Sequence, residues 1–179
     1  MDNDEVEFIA ENELITVVPN FQYKTFYLIG GDIGPFEPSV PTQVPLWLAV
    51  HFRQRQKCRI ECPSWINVEK LEEIMNNEKS SDLFTQMPNP HYMEITNILL
   101  NCAPQDIPRA DEVKTLIKDI WDLRIAKLRS SMNEFIKSES LHAKVNNLTL
   151  LEINTVRNLL TKTLKELHNL KQHVPIADE

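Results

Sequence analysis

The chain has 179 residues, a net charge of −7, 42% hydrophobic and 25% charged residues, values of a globular chain and not of a disordered one. It carries only three glycines, Gly30, Gly31 and Gly34, where roughly 7% is usual. Without glycine after Gly34, repeated left-handed turns and Gly-rich hairpins are not expected there, which argues against an all-β domain or a βα-barrel.

The acidic balance disfavours a dedicated nucleic-acid binder. The longest apolar run, Leu46 to Val50, is far too short to span a membrane, and an N-terminus holding Asp2, Asp4, Glu5 and Glu7 is unlike a signal peptide. An odd number of cysteines, three, reads as reduced thiols of the cytosol or nucleus.

In chain order, residues 4–12 fit a short acidic helix with Val6, Ile9 and Ala10 inward. Leu14 to Val18 and Phe26 to Ile29 are β-branched and aromatic runs of strand length, the second closed by Gly30-Gly31. Pro35, Pro38, Pro41 and Pro45 follow at short intervals, the pattern of an extended loop. Pro45 suits the first turn of a helix through Leu46, Ala49, Val50 and Arg53, and Lys57 to Glu61 reads as a strand ending before Pro63. These elements make a small α+β, β-rich domain over residues 1–62.

From Asn67 the period is helical. Val68, Leu71, Ile74 and Met75 begin one helix. Asn89 can cap a second, with Pro90 at its first position and Tyr92, Ile95, Leu99 and Cys102 on one face. A third runs from about Ala110 to Glu139 with the stripe Val113, Leu116, Ile117, Ile120, Leu123, Leu128, Met132 and Phe135, and Trp121 beside it. Thr149 and Glu152 form a capping box for the last helix, with Leu148 and Ile153 as its hydrophobic staple. Its apolar arc, including Ile153, Val156, Leu160, Leu167 and Val174, is broad enough to need more than one neighbour, within the chain or from another chain. The expected architecture is therefore mainly α: a helical bundle over 63–174, the small domain before it, and a short tail at 175–179.

Little of this looks catalytic. The strand entering Gly30-Gly31-Asp32-Ile33-Gly34 resembles the start of a phosphate loop. However, the G-x-G-x-x-G spacing fails, prolines replace the helix, and no Walker lysine follows. Cys58 and Cys62 have the spacing of half a zinc site but lack the other two ligands. No cofactor or metal site is expected. His51, Arg53, Arg55, Lys57 and Arg59 form the densest positive cluster, open to three readings: a solvated surface, a contact for an acidic protein, or a nucleic-acid contact. Arg124 sits on the edge of an apolar stripe with no carboxylate three or four residues away. If buried, it needs a carboxylate on another helix or another chain; it can also lie across Trp121, or snorkel to water.

Several strings are similar to the second-subunit, Psf-type family of the eukaryotic GINS complex. They are Glu5-Val6-Glu7-Phe8, Tyr27 to Asp32 with Gly34-Pro35-Phe36, Val44 to Ala49, Arg53 to Arg59, Pro88 to Glu94, Asp119 to Arg129, and Asn147 to Leu150 with Glu152-Ile153-Asn154. The resemblance implies a helical A domain preceded by a small B domain, and a heterotetramer with three paralogous subunits in the nucleus. It further implies association with the MCM helicase ring, a cell-division-cycle factor and DNA polymerase epsilon, no enzymatic activity of its own, and that any DNA contact is made through the assembled complex. An adaptor for nucleic acid or a scaffold outside replication is the alternative. The residues singled out for partner binding are Trp121, Arg124, Leu128, Leu160 and Leu167 on the helices, and Leu46, Trp47, Arg53, Arg55, Lys57 and Arg59 on the small domain.

Overall fold

The computed structural model describes residues 3–137, 146–157 and 161. Helix α1 (Asn3–Ala10) buries Val6 and Ala10, four residues apart and so on one face, while Ile9 is turned outward. Ile9 was expected inside; the helix is too short to bury more than one narrow stripe.

Strand β1 (Leu14–Pro19) alternates strictly, with Ile15 and Val17 buried and Leu14 exposed. It is the centre of an antiparallel sheet ordered β4-β1-β5, where β4 is Thr42–Pro45 and β5 is Cys58–Ile60. Ile15 lies opposite Val44, and Val17 opposite both Thr42 and Ile60. The stretch read as an extended proline loop therefore ends in a paired strand. Its prolines hid β4, because Pro41 and Pro45 flank a segment whose only apolar interior residue is Val44.

The glycines also behave differently from expectation. β2 (Phe26–Leu28) stops one residue short of Ile29 and turns through Ile29-Gly30 into β3 (Gly31–Ile33), with Leu28 opposite Gly31. Gly34 has φ of 123°, and a Cβ there would lie 2.9 Å from the Lys24 carbonyl oxygen. Downstream, left-handed conformations occur without glycine, at Ser39, Gln56, Arg109 and Asn147. Lack of glycine thus did not prevent such turns; each is accepted at a local cost.

Helix α2 (Leu46–Gln54) begins with Pro45 as its N-cap, one position earlier than a first-turn proline. Its first amides are satisfied from outside the helix: Leu46 N–H donates to the Glu13 carbonyl at 2.9 Å and Trp47 N–H to Glu11 at 3.1 Å. The helix ends where Gln56, at φ of 56°, turns the chain into β5.

Helix α3 (Val68–Ser80) is capped by Asn67, whose side chain accepts from Glu69 N–H. Helix α4 begins at Tyr92 and ends at Cys102. Asn89 therefore does not cap it as expected; its side chain holds the preceding turn through His91 N–H at 2.7 Å. After a 3-10 turn at Pro104–Asp106, helix α5 (Ala110–Lys137) runs 28 residues without interruption. Residues 150–157 are helical and make α6.

One large core is continuous from the sheet (Ile15, Val17, Val44, Ile60) through α2 to Leu71, Leu99, Ile117 and Ile120. A second cluster, Phe84, Ile125, Leu128, Met132 and Val156, joins the later part of α5 to α6, and Trp121 packs against both. On α6 the inward face is Glu152 and Val156; Ile153, expected inside, is 45% exposed.

Candidate assembly surfaces and the buried charge cluster

Arg124 is the largest fully buried side chain, and its environment is the most organised polar feature among the described residues. Nε donates to Glu152 Oε1 at 2.6 Å and one terminal nitrogen to Glu152 Oε2 at 3.0 Å, a two-pronged grip on a single carboxylate. That nitrogen also reaches the Asn147 carbonyl at 2.7 Å. The other terminal nitrogen donates to Glu78 Oε2 at 2.9 Å and the Thr85 carbonyl at 3.0 Å. A guanidinium has five N–H groups, so these five contacts leave none unused.

Both acids are themselves fully buried and shared with other partners. Lys127, one turn along α5, donates to Glu78 Oε1 at 2.7 Å and to the carbonyls of Glu78 and Ser81, each at 2.7 Å. The Thr85 hydroxyl and N–H also donate to Glu78. Burial opposes the Glu78 charge, but the hydrogen bonds from Lys127 and Thr85 and the Arg124 charge outweigh it and hold its carboxyl below its ordinary value. Burial likewise works against the charge of Arg124, and Glu152 and Glu78 override it, keeping the guanidinium protonated. The Tyr92 hydroxyl donates to Glu152 Oε1 at 3.3 Å; burial, then the Glu152 charge, push its ionisation far above the ordinary range.

Glu152 performs two tasks. Its carboxylate accepts from Thr149 N–H at 2.8 Å while the Thr149 hydroxyl accepts from Glu152 N–H at 3.4 Å, completing the expected capping box. The same carboxylate binds Arg124, so the start of α6 is tied to the middle of α5. Two cations and two carboxylates thus join α3, the segment after it, α4, α5 and α6 around one charge-neutral point. Phe84 closes it, its ring centroid 5.4 Å from the Arg124 guanidinium carbon.

This placement corrects the reading of Arg124 as an interface residue. Its carboxylates come from other helices of the same chain, and its aromatic neighbour is Phe84 rather than Trp121. Leu128 is also interior, 4% exposed within the second cluster, and Leu46 is fully buried in the large core. Trp121 is half-buried between the two cores. Leu160 and Leu167 lie outside the described residues.

On the N-terminal unit, Trp47 is 39% exposed, and Arg55, Lys57 and Arg59 are exposed. Arg53 separates from them: its Nε lies 3.0 Å from Asp106 Oδ2, and that oxygen also accepts Ile60 N–H at 3.0 Å. It fastens α2 and β5 to the 3-10 turn and is not free for a partner. Spacing alone did not reveal Asp106 as its acid, 53 residues away.

Cys58 is buried and Cys62 half-buried, and burial pushes both thiols up to about 11. They are therefore poor nucleophiles at neutral pH. Among the described residues no group of three or more His, Cys, Asp or Glu is arranged to hold a metal ion. No described helix is long and apolar enough to cross a membrane. Three buried side-chain atoms among the described residues make no hydrogen bond: Arg53 Nε, which keeps only its ion pair with Asp106, and His91 Nδ1 and Glu94 Oε1, which are 3.9 Å apart. Burial is the main reason the Glu94 carboxyl lies above its ordinary value.

The fold and its charge cluster define a class: a helical-bundle protein with a small antiparallel-sheet unit at its N-terminus. Two family models match in succession, a PSF2 N-terminal domain over residues 2–61 and a GINS complex protein helical bundle domain over residues 65–171. The chain is 54% identical over 179 residues to the Xenopus laevis DNA replication complex GINS protein PSF2, covering 100% of this chain and 97% of that one. Against the Homo sapiens protein of the same name it is 53% identical, covering 97% and 94%. The Drosophila melanogaster protein named as a probable PSF2 is 47% identical, covering 93% and 82%. The chain belongs to the PSF2 family of GINS proteins.

Proposed function

We propose that the chain is a non-catalytic structural subunit of a heterotetrameric GINS complex in the nucleus. In this reading the bundle of residues 63–174 is the A-type platform that meets three paralogous subunits, and residues 1–62 are a B-type docking unit. The observation that carries it is the match along the whole chain to relatives named as DNA replication complex GINS proteins. The buried charge cluster supports it physically. Arg124, Glu78, Glu152 and Lys127 spend their charge on one another, holding five segments in fixed relation, which suits a platform and leaves those groups none to offer a substrate.

The complex supports the MCM helicase ring and an associated cell-division-cycle factor in initiation and elongation, connects to DNA polymerase epsilon, and makes any DNA contact through the assembly. The test is omission from a reconstituted helicase: forked-duplex unwinding by the MCM ring, the cell-division-cycle factor and the three sister subunits, with and without this chain. Unwinding is expected only with the chain present. Full unwinding without it, or ATP hydrolysis by the chain alone, contradicts the reading.

A further inference from the structure

The N-terminal unit carries an apolar groove of about 450 Å³, lined by Phe21, Phe26, Leu28, Trp47, Leu48 and Phe52, with His51, Arg55 and Lys57 at its rim. Its floor is preorganised. Phe21 and Phe26 pack against Phe52 with ring centroids 5.4 and 5.9 Å apart, and both also pack on the fully buried Phe36. Trp47 and His51 lie four residues apart on one face of α2, and Arg55, four residues further on at its C-cap, continues that line into the rim. Arg53, by contrast, is withdrawn to Asp106.

Among the described residues Arg55 and Lys57 have no ion-pair partner, in a chain whose net charge is −7. Two uncompensated cations at the edge of an aromatic-floored groove define the complementary ligand. We propose that this groove receives an acidic linear segment of a protein partner, with a large aliphatic or aromatic anchor on the phenylalanine floor and Asp or Glu against Arg55 and Lys57.

Single-stranded nucleic acid fits less well. Stacking needs exposed ring faces in succession along a cationic track. Here the phenylalanines are packed on one another, Trp47 is the one exposed ring among the lining Phe and Trp residues, and both cations sit in the turn after α2.

The inference rests on the reading of residues 1–62 as a docking unit, and the experiment separates the two. The full chain, in the assembly with which it co-purifies, is panned against a phage library of random dodecapeptides. Co-purification reports on subunit membership whatever the panning gives. Enrichment is expected of Phe, Trp, Leu or Ile with Asp or Glu close by. A resynthesised peptide from that set is expected to bind at least tenfold more weakly to Arg55→Glu/Lys57→Glu, and equally more weakly when its own anchor is changed to serine. Both substituted positions are exposed, and unchanged circular dichroism and co-purification of the variant exclude misfolding. The proposal is overturned by no enrichment, by motifs without acids, or by peptide binding indifferent to the double variant. It is equally overturned if a twelve-residue oligothymidylate outcompetes the peptide at the same residues, or if the groove proves to be closed by a second copy of this chain.

Discussion

Arg124→Met keeps an apolar stem of similar length and removes the five N–H contacts described above. Glu152 would lose both guanidinium bonds, keeping Thr149 N–H and the longer bond from Tyr92, while Glu78 would retain Lys127 and Thr85. Breaking a fully buried pair by deleting one partner costs about 3–5 kcal/mol, chiefly because a charge is left stranded. Against a total stability of about 5–15 kcal/mol, that is a large fraction. At roughly 2–4 °C per kcal/mol for a chain of this size, the midpoint should fall by about 6–20 °C. Thermal unfolding of the full chain measures that shift, and urea unfolding measures the loss of stability itself, with an unchanged m value showing that stability and not compactness has moved. The double variant Arg124→Met/Glu152→Gln removes the stranded charge and should recover part of the loss, with a coupling of about 1–3 kcal/mol. A loss below about 1 kcal/mol, or strict additivity of the two changes, would refute the cluster as the lock of the bundle.

Three further outcomes are expected. Because the folded Glu78 carboxyl lies below its unfolded value, the unfolded state binds more protons between the two. Its contribution is therefore complete above the unfolded pKa and is lost as pH falls through the folded one. Glu78→Gln should accordingly flatten the acid limb of a stability–pH curve, and an unchanged limb would exclude this carboxyl as its source. Glu94 has the opposite sign, raised on folding, so its ionised form costs stability at neutral pH. Glu94→Gln should stabilise the chain at pH 7.5 and lose that advantage as pH falls through the folded Glu94 value; destabilisation at pH 7.5 would show that Glu94 has a partner. Gly34→Ala, with its positive φ and a clash against the Lys24 carbonyl, should cost more than about 1 kcal/mol, while Gly30→Ala, with open space around it, should cost less. Equal melting temperatures for the two would count against the hairpin geometry.

Local chemistry carried much of the architecture, and its failures follow from contacts distant in the chain. The capping box at Thr149 and Glu152 was legible because both partners lie within one turn. The second use of Glu152, as the carboxylate for Arg124 across 28 residues, was not. Arg124 itself signalled a need, a cation beside an apolar stripe with no acid within helical reach, but that need does not say which helix answers it. Burial of Leu46 and Leu128 depends on how neighbouring elements cover them, so apolar residues chosen for an interface turned out to be core. The withdrawal of Arg53 to Asp106 and the pairing of β4 with β1 likewise arise only once the chain folds back on itself. Trp47 and the exposed cations after it remain where a partner can reach them.

The central claim, that this chain is a structural member of a four-subunit assembly, is tested most directly by native mass measurement after co-expression with the three sister subunits. One copy of each subunit, with this chain lost from none of the intact species, is the predicted result. A stable lone monomer that leaves the other three unaltered would contradict it.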